Sequence, residues 1–250
     1  MGYRSISVKS KWVKTKWLLQ SAAARKYVPH TKLFSRDSLR HMLSRHATVF
    51  FKPTGGTGGF QVYRIRKLKR GYRLQHNASR SYYPTLDALY AYLNRRAKGR
   101  SYLLQKGINL AKTRGRPFDI RVMVQKTNAQ AWRSSALFTK IGISGKVATN
   151  YHQGGRLGKF RQTLSGAGFG SDAIRRKERE LKRLGVSVGK LFDRRKRGFR
   201  ELGLDVALDR SGRTWILEVN TRPQFYPLRR GDQALYRRIM SYARKYGRTK

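Results

Sequence analysis

Cysteine is absent from the 250-residue chain, which excludes disulfides and thiolate zinc sites and permits a reducing compartment. Acidic side chains are scarce, 12 Asp and Glu against 58 Lys and Arg, for a formal net charge of +46. No apolar run approaches the roughly 20 residues that a membrane-spanning helix needs. The basic start Met1 to Ser10 leads into no apolar stretch, so no secretory signal is expected. Hydrophobic residues are not lacking. At 39% hydrophobic and 12% aromatic, the chain is no disordered polycation. A chain of this size buries roughly 70–75% of its unfolded surface, and the expectation is one domain or two tightly joined subdomains in a soluble, cytoplasmic protein.

The bases spread through residues 4–45, 64–73, 95–100, 175–200 and 222–250. Such a field attracts polyanions of any kind, including nucleic acid, anionic membranes and acidic polymers. No aromatic RRM-type signature and no Cys/His finger accompanies it, so any nucleic-acid binding is expected to be non-specific; a solvated charged face is the alternative.

Against this background four of the twelve acids, Glu201, Asp205, Asp209 and Glu218, fall within eighteen residues. Leu204, Val206 and Leu208 alternate with Asp205, Ala207 and Asp209; Trp215, Leu217 and Val219 alternate with Ile216, Glu218 and Asn220. This is strand periodicity on either side of an Asp-Arg-Ser-Gly turn. Paired antiparallel, the two strands bring Asp205 and Glu218 toward one sheet face, and Asn220 shares that face with Glu218. Two carboxylates and an amide oxygen are hard ligands suited to magnesium. A solvated hairpin whose acids pair with neighbouring arginines is the alternative.

The rest of the chain alternates helices and strands. Residues 16–26, 36–45 with Ser35 as N-cap, and 85–97 capped by Thr85 are expected helices. Residues 172–197 form an amphipathic helix with a candidate break at Gly185, and a terminal helix follows Gly231. Strands are expected over 47–52, 60–66, 72–76, 102–105, 118–126 and 131–143. The pattern is α+β, mainly antiparallel sheet with helices packed against it.

Two further segments carry chemistry. In Val49-Phe-Phe-Lys-Pro-Thr-Gly-Gly-Thr-Gly-Gly59 a lysine ends an apolar strand and leads into a loop whose backbone amides suit phosphates. It is neither a Walker A loop nor a kinase glycine loop, and a flexible hairpin is the alternative. In Gly115-Arg-Pro-Phe-Asp-Ile-Arg-Val-Met-Val124, Asp119 and Arg121 share a strand face. The arginine fork suits a phosphate or carboxylate, whereas an Asp119–Arg121 ion pair is the structural alternative. Asn150 and Gly154-Gly-Arg156 form a polar loop.

Taken in order, Phe51-Lys-Pro-Thr-Gly-Gly-Thr-Gly-Gly59, Arg116-Pro-Phe-Asp-Ile-Arg-Val122, Thr149-Asn-Tyr-His-Gln-Gly-Gly155 and Glu218-Val-Asn220 resemble the ATP-grasp superfamily, and within it the endospore coat-associated YheC/YheD-type proteins. The resemblance runs from about Tyr27 to Pro223. It implies ATP and Mg2+ held between two α+β subdomains with mainly antiparallel sheets: 1–46 a helical lead-in, 47–105 the lysine and glycine-lid subdomain, 106–250 the C-terminal subdomain with the metal hairpin and terminal helix. Lys52 would contact phosphates, Gly55, Gly56, Thr57, Gly58 and Gly59 would close over them, and Gln105 would lie at the adenine hinge. Asn150 would join the nucleotide contacts, Asp205, Glu218 and Asn220 would hold magnesium, and Arg121 would meet the γ-phosphate or substrate. Some relatives carry an arginine two residues before the metal aspartate, where this chain has Gly203, which shifts phosphate contact toward Arg121. Many ATP-grasp ligases also carry a domain ahead of the grasp, so the expectation is that part of the acceptor site is either missing or supplied by a partner.

The resulting expectation is a Mg-ATP-dependent ligase that activates a carboxylate as an acylphosphate for attack by an amine or thiol, on an acidic small molecule, peptide or polymer. A spore coat-associated structural protein with this fold and little turnover, and a polyanion-binding module, are the alternatives.

Overall fold

The protein is described by a computed structural model over residues 2–56, 61–143 and 154–249. Thr57, Gly58, Gly59 and Asn150 lie outside the described residues. Two all-antiparallel six-stranded sheets organise the chain. The first is built from β1 (Thr31–Leu33), β2 (Thr48–Pro53), β3 (Tyr63–Lys67), β4 (Tyr72–His76), β5 (Ser79–Tyr83) and β6 (Tyr102–Lys106), in the order β1-β6-β2-β3-β4-β5. The second is built from β8 (Arg116–Lys126), β9 (Trp132–Ile141), β10 (Arg156–Lys159), β11 (Glu201–Leu208) and β12 (Thr214–Asn220), in the order β10-β9-β8-β11-β12, with the short β7 (Lys112–Thr113) on β8.

Helices α3 (Arg36–Arg45) and α4 (Leu86–Ala97) cover one face of the first sheet. Both start where a hydroxyl satisfies an orphan amide: Ser35 accepts from Ser38 N at 3.1 Å and Thr85 from Ala88 N at 3.1 Å, the capping that polar N-cap residues provide. Leu39, Met42 and Leu43 of α3 and Leu89 and Leu93 of α4 meet Val49, Phe51, Ile65 and Leu104 in one apolar cluster. Phe50 and Lys52 alternate with these core residues and so face the opposite side.

The second sheet is buried on both faces. On one side lie α1 (Lys11–Leu19), α2 (Ala22–Arg25), α5 (Phe160–Ser165) and α6 (Ser171–Arg195); on the other, α7 (Leu228–Gly231) and α8 (Gln233–Ala243). That second cover spans only part of the face. Met123, Ala136 and Phe138 pack beneath α8, while the same face further along carries Asp119, Arg121, Lys140 and Asp205.

Several expectations need correcting. Helix 16–26 is two helices, and the first starts earlier because Ser10 caps it, accepting from Val13 N at 3.3 Å. Gly154-Gly-Arg156 is not all loop, since Arg156 opens β10. The edge strand β5 carries no apolar alternation because four of its five residues are exposed, and short β1, β7 and α5 likewise lack a readable period.

Gly185 breaks nothing. Helix α6 runs through it, and a Cβ there would stand 2.7 Å from Val124 Cγ1 and 2.9 Å from Val122 Cγ1, so the bare Cα is what lets the helix approach β8. Gly185→Val is expected to leave the fold intact but to lower stability by roughly 1–3 kcal/mol through overpacking, read as a lowered urea midpoint with an unchanged slope.

Candidate active site

Strand register places Arg121 (β8), Asp205 (β11) and Glu218 (β12) directly side by side. Directly opposed residues on antiparallel strands share a face, so the three form a straight row, with Asn220 diagonal to Asp205. Asp205 is the hub. Its Oδ1 accepts from Arg121 Nε at 2.7 Å and Lys140 Nζ at 2.9 Å, and its Oδ2 from Asn220 Nδ2 at 2.9 Å. Burial alone would raise its pKa, but Arg121 and Lys140 together hold it well below the usual carboxylate range. The same exchange runs in reverse for the cations: burial opposes their charge, yet Asp205 keeps the Arg121 pKa above its ordinary value, and Asp119 with Asp205 does so for Lys140.

Asp119 forms a salt bridge with Lys140, at 2.9 Å, and Arg121 one with Asp205, so the alternative of an Asp119–Arg121 pair is replaced by a chain of alternating charge. The fork of Arg121 also donates from Nη1 to Gln224 O at 3.1 Å. Gly203 explains how the arginine fits: a Cβ there would lie 2.5 Å from Pro223 Cβ and 3.1 Å from Arg121 Cδ. An arginine at position 203 has no room, and Arg121 occupies that space.

A second correction concerns the hairpin. Asp205 faces Glu218 but Val206 faces Ile216, so Leu217 is an extra, bulged residue. The bulge reverses the expected alternation: Ile216 joins Val219 in the core, and Leu217 is half-buried. It has a chemical consequence, as bulges beside sites commonly do. The Leu217 carbonyl turns toward the first sheet and accepts from Lys52 Nζ at 3.3 Å. Lys52 also donates to Gln105 Oε1 at 2.8 Å, and Gln105 Nε2 to Thr31 Oγ1 at 3.2 Å. The Gln105 side chain thus clamps the lysine. Burial pushes the Lys52 ammonium down to about 8.

Helix α1 closes the junction between the sheets. Lys11 Nζ donates to Gly56 O at 2.6 Å, its backbone amide to Thr54 O at 2.6 Å, and Glu218 lies 3.6 Å from Lys11 Nζ and 3.8 Å from Lys14 Nζ. Lys11, Lys14, Lys52, Gln105, Leu217 and Glu218 therefore line one narrow cleft. Lys11, Lys14 and Lys140 went unnoticed in the sequence. Lys140 had a weak signal, a charge beside the apolar run Ala136 to Phe138 of its strand; Lys11 and Lys14 are indistinguishable among 58 bases.

Among the described residues no three His, Cys, Asp or Glu cluster to hold a metal. A cation at this hairpin would take the Asp205 and Glu218 carboxylates and the Asn220 amide oxygen. Their chemistry fits magnesium, a hard ion that keeps several waters. Asp205 stays ionised, and among the described residues Glu218 makes two long ion pairs, to Lys11 and Lys14, with its side chain 23% exposed. The other two acids of the cluster are structural. Asp209 accepts from Ser211 N at 3.0 Å, Arg213 N at 3.0 Å and Trp215 Nε1 at 2.8 Å, pinning the turn. Glu201 is fully buried between Tyr3, Tyr246 and Arg248.

Comparison with known proteins fits this geometry. A family model for the YheC/D-like ATP-grasp domain matches residues 5–248. The endospore coat-associated protein YheD of Bacillus subtilis is 21% identical over 221 residues, 86% of this chain and 48% of YheD. YheC of the same organism is 25% identical over 223 residues, 85% of this chain and 59% of YheC, so the chain spans about half the length of these curated relatives. The VanG D-Ala:D-Ser ligase of Enterococcus faecalis shares the fold, with a TM-score of 0.57 at 13% identity over 95% of this chain and 61% of that one.

The lowered Lys52 pKa carries a stability signature. Between pH 8 and about 10.4, the ordinary lysine value, the unfolded chain still binds a proton that folded Lys52 has released, so this group's contribution to stability rises with pH across that window. Wild type is expected to gain stability relative to Lys52→Met from pH 8 to pH 10, measured by urea unfolding; parallel profiles would show that the ammonium titrates normally.

Proposed function

The chain belongs to the YheC/D-like ATP-grasp family, and from that premise we propose that it is a magnesium-dependent ligase that uses ATP to join a carboxylate to an amine or thiol. The observation that carries this reading is the reach of Lys52 from the first sheet to the Leu217 carbonyl of the second, next to Glu218. One cation thereby sits where two sheets, the start of a glycine loop and an oxygen-rich hairpin converge.

In this reading Lys52 and Lys11 meet nucleotide phosphates, Gly55 to Gly59 close over them, and Phe50 and Gln105 lie toward the base. Asn150 adds a polar contact to the nucleotide. Asp205, Glu218 and Asn220 hold the magnesium, which neutralises phosphate charge when bound. Arg121 and Lys140, fixed by Asp205 and Asp119, are preorganised donors beside the transferred phosphoryl group, where fixed dipoles and charges act most strongly. An acceptor carboxylate oxygen attacks the γ-phosphorus with ADP leaving; an amine or thiol then attacks the acyl carbon, losing its proton as phosphate departs. Closure over the site excludes the water that would hydrolyse the acylphosphate.

One observation favours a second reading. Asp205 already accepts from three side chains, Arg121, Lys140 and Asn220, and the two curated relatives are named for association with the endospore coat. A coat-associated protein using the hairpin only as architecture would look the same here.

Thermal shift at high salt separates the two. Wild type is expected to gain about 2.7 kcal/mol at a hundredfold excess of Mg-ATP over its Kd, and Glu218→Gln or a metal-free sample much less. High salt suppresses general anion binding by so basic a chain. The ligase reading fails if wild type does not shift, or if polyphosphate without magnesium works as well.

A further inference from the structure

We propose that a groove at the outer edge of the second sheet is the docking site for an extended, carboxylate-rich peptide segment; that this segment is the acceptor rests on the ligase reading above. The groove is a cavity of about 740 Å³ between β9, β10, α5 and the α7–α8 turn, distinct from the cleft of Lys52 and Glu218.

Four observations converge on it. First, β10 covers only Phe138 to Ile141 of β9, so among the described residues Trp132 to Leu137 have no strand on that side. This is an unpaired edge, where an incoming chain can add main-chain hydrogen bonds. Second, Ala136 faces Met123 but Ser134 faces Val124, so Ser135 is bulged out of the ladder. Ser135 lines the groove, and its buried hydroxyl has no hydrogen-bond partner among the described residues. A buried hydroxyl with no partner costs roughly 1–3 kcal/mol and is satisfied by a polar occupant. Third, Arg114, Arg156, Lys159 and Arg238 line the rim, and none of them belongs to a salt bridge among the described residues; of the two acids lining the groove, Glu178 is already held by Arg161 and Lys182, and Asp232 caps α8 by accepting from Leu235 N. Fourth, Lys159 faces Phe138, which faces Arg121, which faces Asp205. At about 4.8 Å per strand, the groove begins roughly two strands, about 10 Å, from Arg121, on the same sheet face.

A peptide suits this groove better than a nucleic acid. The aromatic rings lining it, Phe138 and Phe160, are buried, leaving no exposed face for base stacking. The floor of Leu157, Leu228 and Leu235 suits the methylene stems of glutamate, and a bare strand edge pairs with a polypeptide backbone only.

The test is anisotropy of fluorescein-labelled poly-L-glutamate binding to the full chain at 0.15 M salt, for wild type, R156Q/R238Q, each single variant, Ser135→Ala, and the charge-matched control K69Q/R70Q on the distant β3–β4 turn. Binding is expected to weaken on the order of tenfold in R156Q/R238Q, severalfold in Ser135→Ala and less than twofold in the control. The single variants keep the result readable should the double variant fold poorly. Equal losses in R156Q/R238Q and K69Q/R70Q would overturn the proposal, since the whole surface would then be responsible. A single-stranded oligonucleotide of equal charge that binds more tightly and loses the same affinity in R156Q/R238Q would overturn it in favour of nucleic acid. The link to the reaction is read separately. Poly-L-glutamate is expected to raise wild-type ATP turnover, with the stimulation lost in R156Q/R238Q although that variant keeps its Mg-ATP thermal shift. Groove binding without any Mg-ATP shift in wild type would instead sink the ligase reading while leaving the docking site.

Discussion

The Asp205 carboxylate is the interaction on which the second half of the molecule depends. A chain with 58 bases and 12 acids has few counterions to place, and here one half-buried aspartate neutralises parts of two strands at once, Arg121 on β8 and Lys140 on β9, while Asn220 holds it from β12. Removing one member of such a buried set strands the others in low dielectric, which is far more damaging than replacing the whole set. The polar end of this sheet face is therefore held as a unit, and its charges point where no helix covers them.

The two sheets meet through few but specific contacts. The bulge at Leu217 presents a carbonyl to Lys52, and Lys11 ties the start of the glycine loop to Glu218. Each of these contacts is polar and lies at the cleft. The groups that line the cleft are thus the same groups that join the halves.

Acids elsewhere serve the framework. Glu201 gathers Tyr3 near the N-terminus with Tyr246 and Arg248 near the C-terminus onto β11. Burial first, and then the adjacent carboxylate, push the pKa of both tyrosines up, so each phenol remains a donor at any working pH. Asp209 closes the hairpin turn. Of the acidic cluster that stood out in the sequence, Glu201 and Asp209 serve the framework while Asp205 and Glu218 lie in the polar row beside Arg121, a division that spacing alone does not reveal because both kinds of acid sit on the same hairpin.

Residue pattern alone determined the α+β class, the capped helices at Ser35 and Thr85, the paired hairpin with Asp205 opposite Glu218, and the family resemblance. All but the resemblance follow from local rules: side-chain period, hydroxyl capping and turn chemistry act over a few residues. Tertiary structure decided the rest. Which bases enter the cleft depends on α1 folding back across the junction, and composition could not single out Lys11 and Lys14. The bulges at Leu217 and Ser135 depend on how neighbouring strands pair, so Ile216 entered the core against its periodicity. Gly185 read as a helix breaker, yet its role is set by β8 packed against it. Register, bulges and long-range burial arise between segments distant in sequence, and their energetics become defined only once those segments are in contact.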